Sequence, residues 1–227
     1  MGWGLPGVLG FLPSPTIVPQ PQIPKTLAML PPGAKICDVG AGGRRITPDV
    51  VAVDFAPGPG IDVVGDIHAL PIADESFDGV FCTGTLEHVR DPATAVRELF
   101  RILNPGGVVH IDVPFMQGYH PDPTDYWRFT LDGLRLLCNQ FDELDAGTYI
   151  GPTCGLVWVA REWANGWTSN RVVSNLLLIP MALLTAPLRY LDYALIRSQR
   201  SHHVASAIYF RGRKPMSSLK NTAVHSP

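Results

Sequence analysis

Short apolar runs that close on an acid or a glycine turn recur along the first two thirds of the chain. Residues 35–39 (KICDV) run into Gly40-Ala41-Gly42-Gly43, 50–54 end in Asp54, 61–64 run into Gly65-Asp66, and 77–82 run into Thr83-Gly84. Residues 108–113 form a continuous apolar run, the pattern of a strand that a parallel sheet buries on both faces. Between the fifth and last of these strands lie a helical stretch at 130–137 and a sixth strand at 141–149, and 204–210 read as a seventh strand. Asp91-Pro92 followed by apolar positions at helical spacing through Leu103 predicts an amphipathic helix with an N-cap and a proline in its first turn, stopped by Asn104-Pro105-Gly106-Gly107. Only Arg44 to Asp49 remain between the first two strands, and Pro48 shortens that stretch further. The first crossover helix is therefore expected to be mostly missing.

The segment 151–203 reads as an insertion before the last strand and holds the most apolar run, 172–188. A transmembrane helix needs about 20 apolar residues; this run is 17 long and contains Pro180 and Pro187. Burial in a helical cap packed on the domain is the simplest reading. The amphipathic pattern that follows, with Leu188, Leu191, Leu195 and Ile196 set apart from Arg189, Asp192 and Arg197, suits a surface that lies on a membrane or holds a greasy substrate.

The length suits one α/β domain with an appendage. A net charge of -2 hides an asymmetry: residues 1–160 carry 9 Lys/Arg against 18 Asp/Glu, and residues 161–227 carry 9 against 2. The basic end either faces something acidic or neutralises the first part. Cys37, Cys82, Cys138 and Cys154 form no C-x-x-C pair, which implies a reducing compartment and no zinc site. Residues 1–24 contain no charge and many prolines. They lack the basic start and unbroken apolar core of a secretory signal, so an irregular arm lying over the domain is expected.

The order Asp38-x-Gly-x-Gly, Asp54, Gly65-Asp66, Leu70-Pro71, Leu86-Glu87-His88-Val89 and Leu103-Asn104-Pro105-Gly106-Gly107 resembles the class I S-adenosylmethionine-dependent methyltransferases, in the methyltransferase type 11-like branch. The resemblance covers about residues 33 to 150. It implies a Rossmann-like α/β sheet of seven strands, here with the shortened first crossover helix, the helical insertion, and a last strand antiparallel beside the fifth. The expected organisation is a proline-rich arm (1–32), a cofactor-binding core (33–150), an apolar helical cap (151–203), the last strand (204–214) and a flexible tail (215–227). A dinucleotide dehydrogenase fits less well, because the third glycine of its fingerprint would fall at Arg45 and Asp54 comes too early for the ribose acid.

The resemblance implies that Asp38, Gly40 and Gly42 line the methionine end of S-adenosyl-L-methionine, with Thr83 and Gly84 flanking it. Asp54 would accept from both ribose hydroxyls, Asp66 from the adenine amine, and Ile67 and His68 would lie beside the ring. Methyl transfer from a sulfonium needs positioning above all, and no metal is expected. His88 is the first candidate for general base, since imidazole titrates near neutrality; it could equally orient the helix or the cofactor. The stretch 115–130 (FMQGYHPDPTDYWRFT) follows the fifth strand, at the rim where α/β folds bind ligands. In it His120 and Asp125 are the second base candidates, Tyr119, Tyr126 and Trp127 the candidate substrate contacts, and Arg128 a candidate for an anionic substrate group. A structural Asp-Arg pair with Trp127 buried is the competing reading of 125–128.

The expected activity is methyl transfer to oxygen or nitrogen of a small-molecule, glycan or lipid-linked acceptor. The expected location is cytoplasmic, with room for peripheral contact at the inner face of the membrane through 172–200. A catalytically silent assembly partner is the alternative. A nucleic-acid methyltransferase would show Asn/Asp-Pro-Pro-Tyr after the fourth strand, where this chain has Thr83-Gly84-Thr85-Leu86. Nucleic acid is therefore not an expected partner.

Overall fold

The computed structural model describes residues 16–216; the first 15 residues of the arm and the tail from 217 lie outside the described residues. Seven strands, β1 (Ile36–Val39), β2 (Val51–Asp54), β3 (Val63–Val64), β4 (Phe77–Thr83), β5 (Leu103–Pro114), β6 (Asp142–Ile150) and β7 (Ala207–Arg213), form one sheet in the order β3-β2-β1-β4-β5-β7-β6. The first five pair in parallel and β7 runs antiparallel between β5 and β6, as expected for the last strand. β4 and β5 sit centrally, and their Val80, Cys82, Val109 and Ile111 are fully buried in the core. β5 starts five residues earlier than the apolar run suggested, because Leu103 already pairs with Phe77 before the register shifts. No helix is assigned between β1 and β2.

Helix α2 (Pro92–Ile102) begins where expected. The Asp91 carboxylate accepts from Thr94 N at 3.0 Å, and Ala95, Val96, Leu99 and Ile102 form its buried stripe. α3 (Leu131–Leu137) is capped by the Thr130 hydroxyl. The described part of the arm is more ordered in shape than its prolines implied, since it contains α1 (Gln22–Leu27). This helix is clamped to the sheet: Thr26 Oγ1 lies 3.1 Å from His110 Nδ1, and Arg211 donates to Thr26 Oγ1 at 2.8 Å and to Gln22 at 3.1 Å. Gly79 leaves the room that the Leu30 side chain fills, at 2.6 Å from where a Cβ would stand.

The insertion is helical, with α4 (Pro152–Asn165), α5 (Arg171–Thr185), a 3₁₀ segment Ala186–Leu191 and α6 (Asp192–Leu195). Val172–Leu195 makes a 24-residue helical run, long and apolar enough to cross a membrane by length and composition, and most of it is not buried. The helix passes through Pro180, which removes one backbone bond. Burial of the run against the domain, the simplest expectation, is not what the fold does. Leu178 and Ala182 are buried, whereas Val172, Leu176 and Leu184 are exposed by 68%, 69% and 76%. The C-terminal end of the run is nonetheless tied down. Asp192 is fully buried and accepts from Thr153 N at 2.8 Å and Cys154 N at 3.0 Å, capping α4 where Gly151 offers no side chain.

The cations of the last strand are not a free basic tail. β7 is an interior strand, so Arg211 and Lys214 are buried, paired with Asp145 at 3.5 Å and Glu75 at 3.3 Å, while Arg213 donates to the Gly106 carbonyl. These residues neutralise acids of the first part of the chain.

Candidate active site

The C-terminal ends of β4 and β5 and the turn after β1 open on a cleft of about 190 Å³ whose walls include Arg44, Thr83, Gly84, Glu87, Asp112, Tyr149 and Trp158, with Thr16 and Ile23 of the arm along one side. This is the end of a parallel sheet at which α/β folds bind ligands, and the arm does help to close it.

Asp38 ends β1 one residue before the turn and is wholly buried; neither of its carboxylate oxygens has a hydrogen-bond partner. Burial pushes its carboxyl up to about 7, and neighbouring Asp112 and Asp54 add to this against the pull of Arg44, whose Nη2 lies 4.0 Å away. Asp112 of β5, also buried, leaves Oδ2 without a hydrogen bond. Buried carboxylate oxygens without hydrogen bonds are costly; Asp112, 3.5 Å from His110 Nε2, lines the cleft, and Asp38 lies next to the cleft residue Arg44, so the two place negative charge at its inner end. Gly40, at φ +77°, passes so close to Thr85 that a Cβ would lie 2.2 Å from its hydroxyl. Only glycine fits there. Beyond the turn no helix N-terminus is available to attract an anion. Arg44 stands there instead, hydrogen-bonded to the Thr83 hydroxyl.

Asp54 holds the glycine turn from the neighbouring strand, accepting from Gly42 N at 2.8 Å and Ala56 N at 3.3 Å; its remaining lone pairs face outward with acceptor capacity to spare. Asp66 is largely exposed. It accepts from His68 N at 2.9 Å and lies 2.6 Å from His68 Nδ1, and these bonds hold its carboxyl below the usual range. His68 Nε2 accepts from Asp91 N at 3.3 Å, which puts the ring proton on Nδ1. Ile67 is buried beside it.

His88 and His120, distant in sequence, come together with ring centroids 5.3 Å apart. Both Nε2 atoms lie 3.7 Å from Glu87 Oε1. The His88 Nδ1–H is given to the Thr124 carbonyl at 2.6 Å and that of His120 to the Gly118 carbonyl at 2.9 Å. Burial lowers the His120 imidazole, but the bonds to Glu87 and to Gly118 outweigh it, so the net direction is upward.

Asp125 and Arg128 form the structural pair. Arg128 donates to both Asp125 oxygens and to the carbonyls of Gln117, Gly118 and Trp127. Its donors are thus committed, which leaves no fork for an anionic substrate. Burial raises the Asp125 carboxyl less than Arg128 and the His120 amide lower it, so it stays below the usual range, poorly suited to accept a proton. Tyr119, Tyr126 and Trp127 are exposed and border a second, shallower depression that shares only Gln117 with the main cleft. Trp127 donates to the Val89 carbonyl and Tyr126 accepts from Arg90. Arg44, Glu87, Asp112, Tyr149 and Trp158 are not among the candidates that the sequence singles out. Glu87, beside His88, was the one with a visible signal.

Residues 38–111 match the family profile described as a methyltransferase domain. The chain is 34% identical over 126 residues to the demethylmenaquinone methyltransferase of Renibacterium salmoninarum, covering 48% of this chain and 53% of that protein. It thus spans about half the length of this curated relative. Among solved structures, the 4+2 cyclase SpnF aligns with a TM-score of 0.55 at 17% identity, over 86% of this chain and 80% of that one. A SAM-dependent methyltransferase of Thermotoga maritima, titled a possible histamine N-methyltransferase, aligns at 0.53 and 16% identity, over 85% and 87%.

Proposed function

We propose that this chain, which carries a methyltransferase domain at 38–111 on the fold of the S-adenosylmethionine-dependent methyltransferases, moves a methyl group to an oxygen of an apolar, lipid-borne small molecule. The observation that carries the reading is the buried carboxylate of Asp38, without a hydrogen bond, next to Arg44, a residue in the wall of the cleft at the sheet edge. When bound there, S-adenosylmethionine supplies an electrophilic methyl group on a positively charged sulfur. Asp38 and Asp112 complement its positive charges, Arg44 its carboxylate, and Gly40 and Gly42 admit it close to the backbone. Asp54 takes the ribose hydroxyls; Asp66, Ile67 and His68 border the adenine.

The acceptor enters from the side of the insertion. Trp158 of α4 lines the cleft, and α4, the turn after it and α5 carry Trp163, Trp167, Leu176 and Leu184 exposed on the same cap. Exposed apolar area of this extent marks an interaction surface, and exposed Arg197 and Arg200 next to it suit anionic headgroups. The protein therefore lies on a membrane without spanning it, since Asp192 keeps the apolar run docked on α4. The demethylmenaquinone relative supports an apolar acceptor. A fold shared with a cyclase does not by itself assign methyl transfer; the intact acids favour it over a silent partner.

The test is incubation of the full chain with deuterium-methyl S-adenosylmethionine and vesicles made from total bacterial lipid extract, followed by mass spectrometry. A labelled methyl group on an apolar hydroxyl compound is expected. Label confined to water-soluble amines, or to none, would overturn the reading.

A further inference from the structure

Glu87, His88 and His120 present one ligand atom each within 4.8 Å of one another, and we infer that they form a divalent transition-metal site beside the cleft. Two histidines and one carboxylate are a donor set that zinc, iron and manganese accept. Three features go beyond proximity. First, each histidine gives its Nδ1 proton to a backbone carbonyl, Thr124 for His88 and Gly118 for His120. This fixes the tautomer and turns Nε2 toward Glu87, the outer-shell arrangement that orients metal-binding imidazoles. Arg128 Nη2 lies 3.2 Å from His120 Nδ1 but donates to the Gly118 carbonyl and Asp125, so it does not compete for that nitrogen. Second, the Glu87 side chain is 3% exposed and its Oε2 has no hydrogen-bond partner. A buried carboxylate in that condition calls for a cation. Third, the separations of 3.7 Å from Glu87 to each Nε2 are close to the spacing of about 3.4 Å between ligand atoms around a tetrahedral ion with bonds of about 2.1 Å.

By sequence, His88 and His120 are separate candidates for a proton acceptor, and no metal is expected. The fold instead gathers both on one carboxylate, and that carboxylate also lines the main cleft. Three protein ligands on a tetrahedral ion leave one open position. An acceptor hydroxyl reaching it is held in place and made more acidic by the ion, its proton passing to water. The substrate class is thus a hydroxyl compound. This deepens the proposed methyl transfer but the site stands without it, so its test uses no methyl donor.

The chelator-treated full chain is titrated with Co²⁺ alone, read by visible absorption of the ion and by calorimetry. One equivalent is expected to bind, with the absorption of a low-coordinate nitrogen-ligated ion. Glu87→Gln and His120→Ala should each weaken binding at least tenfold, while His203→Ala, at an exposed histidine whose ring meets His202 edge-on, keeps it. Because Glu87→Gln alters a buried position, His88→Gln provides a second ligand change, and thermal melts confirm that each variant is folded. Absence of Co²⁺ binding by the wild type, or equal binding by folded Glu87, His88 and His120 variants, would overturn the assignment, as would loss of binding in His203→Ala alone.

Discussion

Replacing Asp38 by Asn removes a buried charge that has an ion-pair neighbour only at 4.0 Å and no hydrogen bond. In the folded protein burial pushes this carboxyl from its ordinary 3.8 up to about 7. A difference of about three pH units is worth about 4 kcal/mol. A carboxyl whose folded value lies above its unfolded value holds its proton more tightly in the native state. Its contribution to stability is therefore fully present below about pH 4, declines as pH rises, and is gone above about pH 7. The amide never ionises, so Asp38→Asn escapes that decline. The variant should match the wild type near pH 4 and exceed it by up to about 4 kcal/mol near pH 7.5. Urea denaturation of both proteins across this range measures the gap, and other titrating groups cancel because both share them. A gap that does not widen between pH 4 and 7.5 would refute the claim that Asp38 is a buried, uncompensated carboxylate.

Asp54→Ala should weaken S-adenosylmethionine binding by about 1.5–3 kcal/mol, measured by calorimetry; unchanged affinity would take Asp54 out of the site. Asp192→Ala leaves two buried amides of α4 without an acceptor and should cost about 1–3 kcal/mol in urea denaturation. Full-length protein should float with anionic vesicles at low salt, and Leu176→Glu with Leu184→Glu should abolish flotation while changing stability by less than about 1 kcal/mol, because both side chains are exposed. A wild type that stays in solution beside such vesicles would contradict the membrane contact.

The positions of the first five strands were legible because each is a short apolar run, most of them stopping on an acid or a glycine, whereas the place of the last strand beside the fifth followed from the resemblance alone. Asp38, the glycine turn and Asp54 could be picked out for the same reason: they stand where a strand must end. Asp112 could not, since it sits inside the apolar run of β5 and only the sheet's register brings it to the cleft edge. His88 and His120 were each visible, but 32 positions of chain separate them, and no local pattern announces that Glu87 lies between their rings. Hydropathy identified the 172–188 run without telling what covers it. Its exposure follows from α5 packing, among the described residues, mainly on α4 and the 3₁₀ segment, a matter of topology. Arg211 and Lys214 misled in the opposite direction: a basic stretch near the chain end reads as solvated, yet an interior antiparallel strand buries its cations against Asp145 and Glu75.

The most direct test of the cleft as a site for a cationic methyl donor is calorimetric titration of S-adenosylmethionine into the full chain at pH 6.5, in two buffers of different ionisation heat. Asp38 is then largely protonated and must ionise to meet the ligand's positive charge. One molecule should bind per chain, with release of a substantial fraction of a proton, and that release should vanish in Asp38→Asn. Absence of saturable binding, or binding with the same proton release in both proteins, would contradict the role given to Asp38 and to the cleft around it.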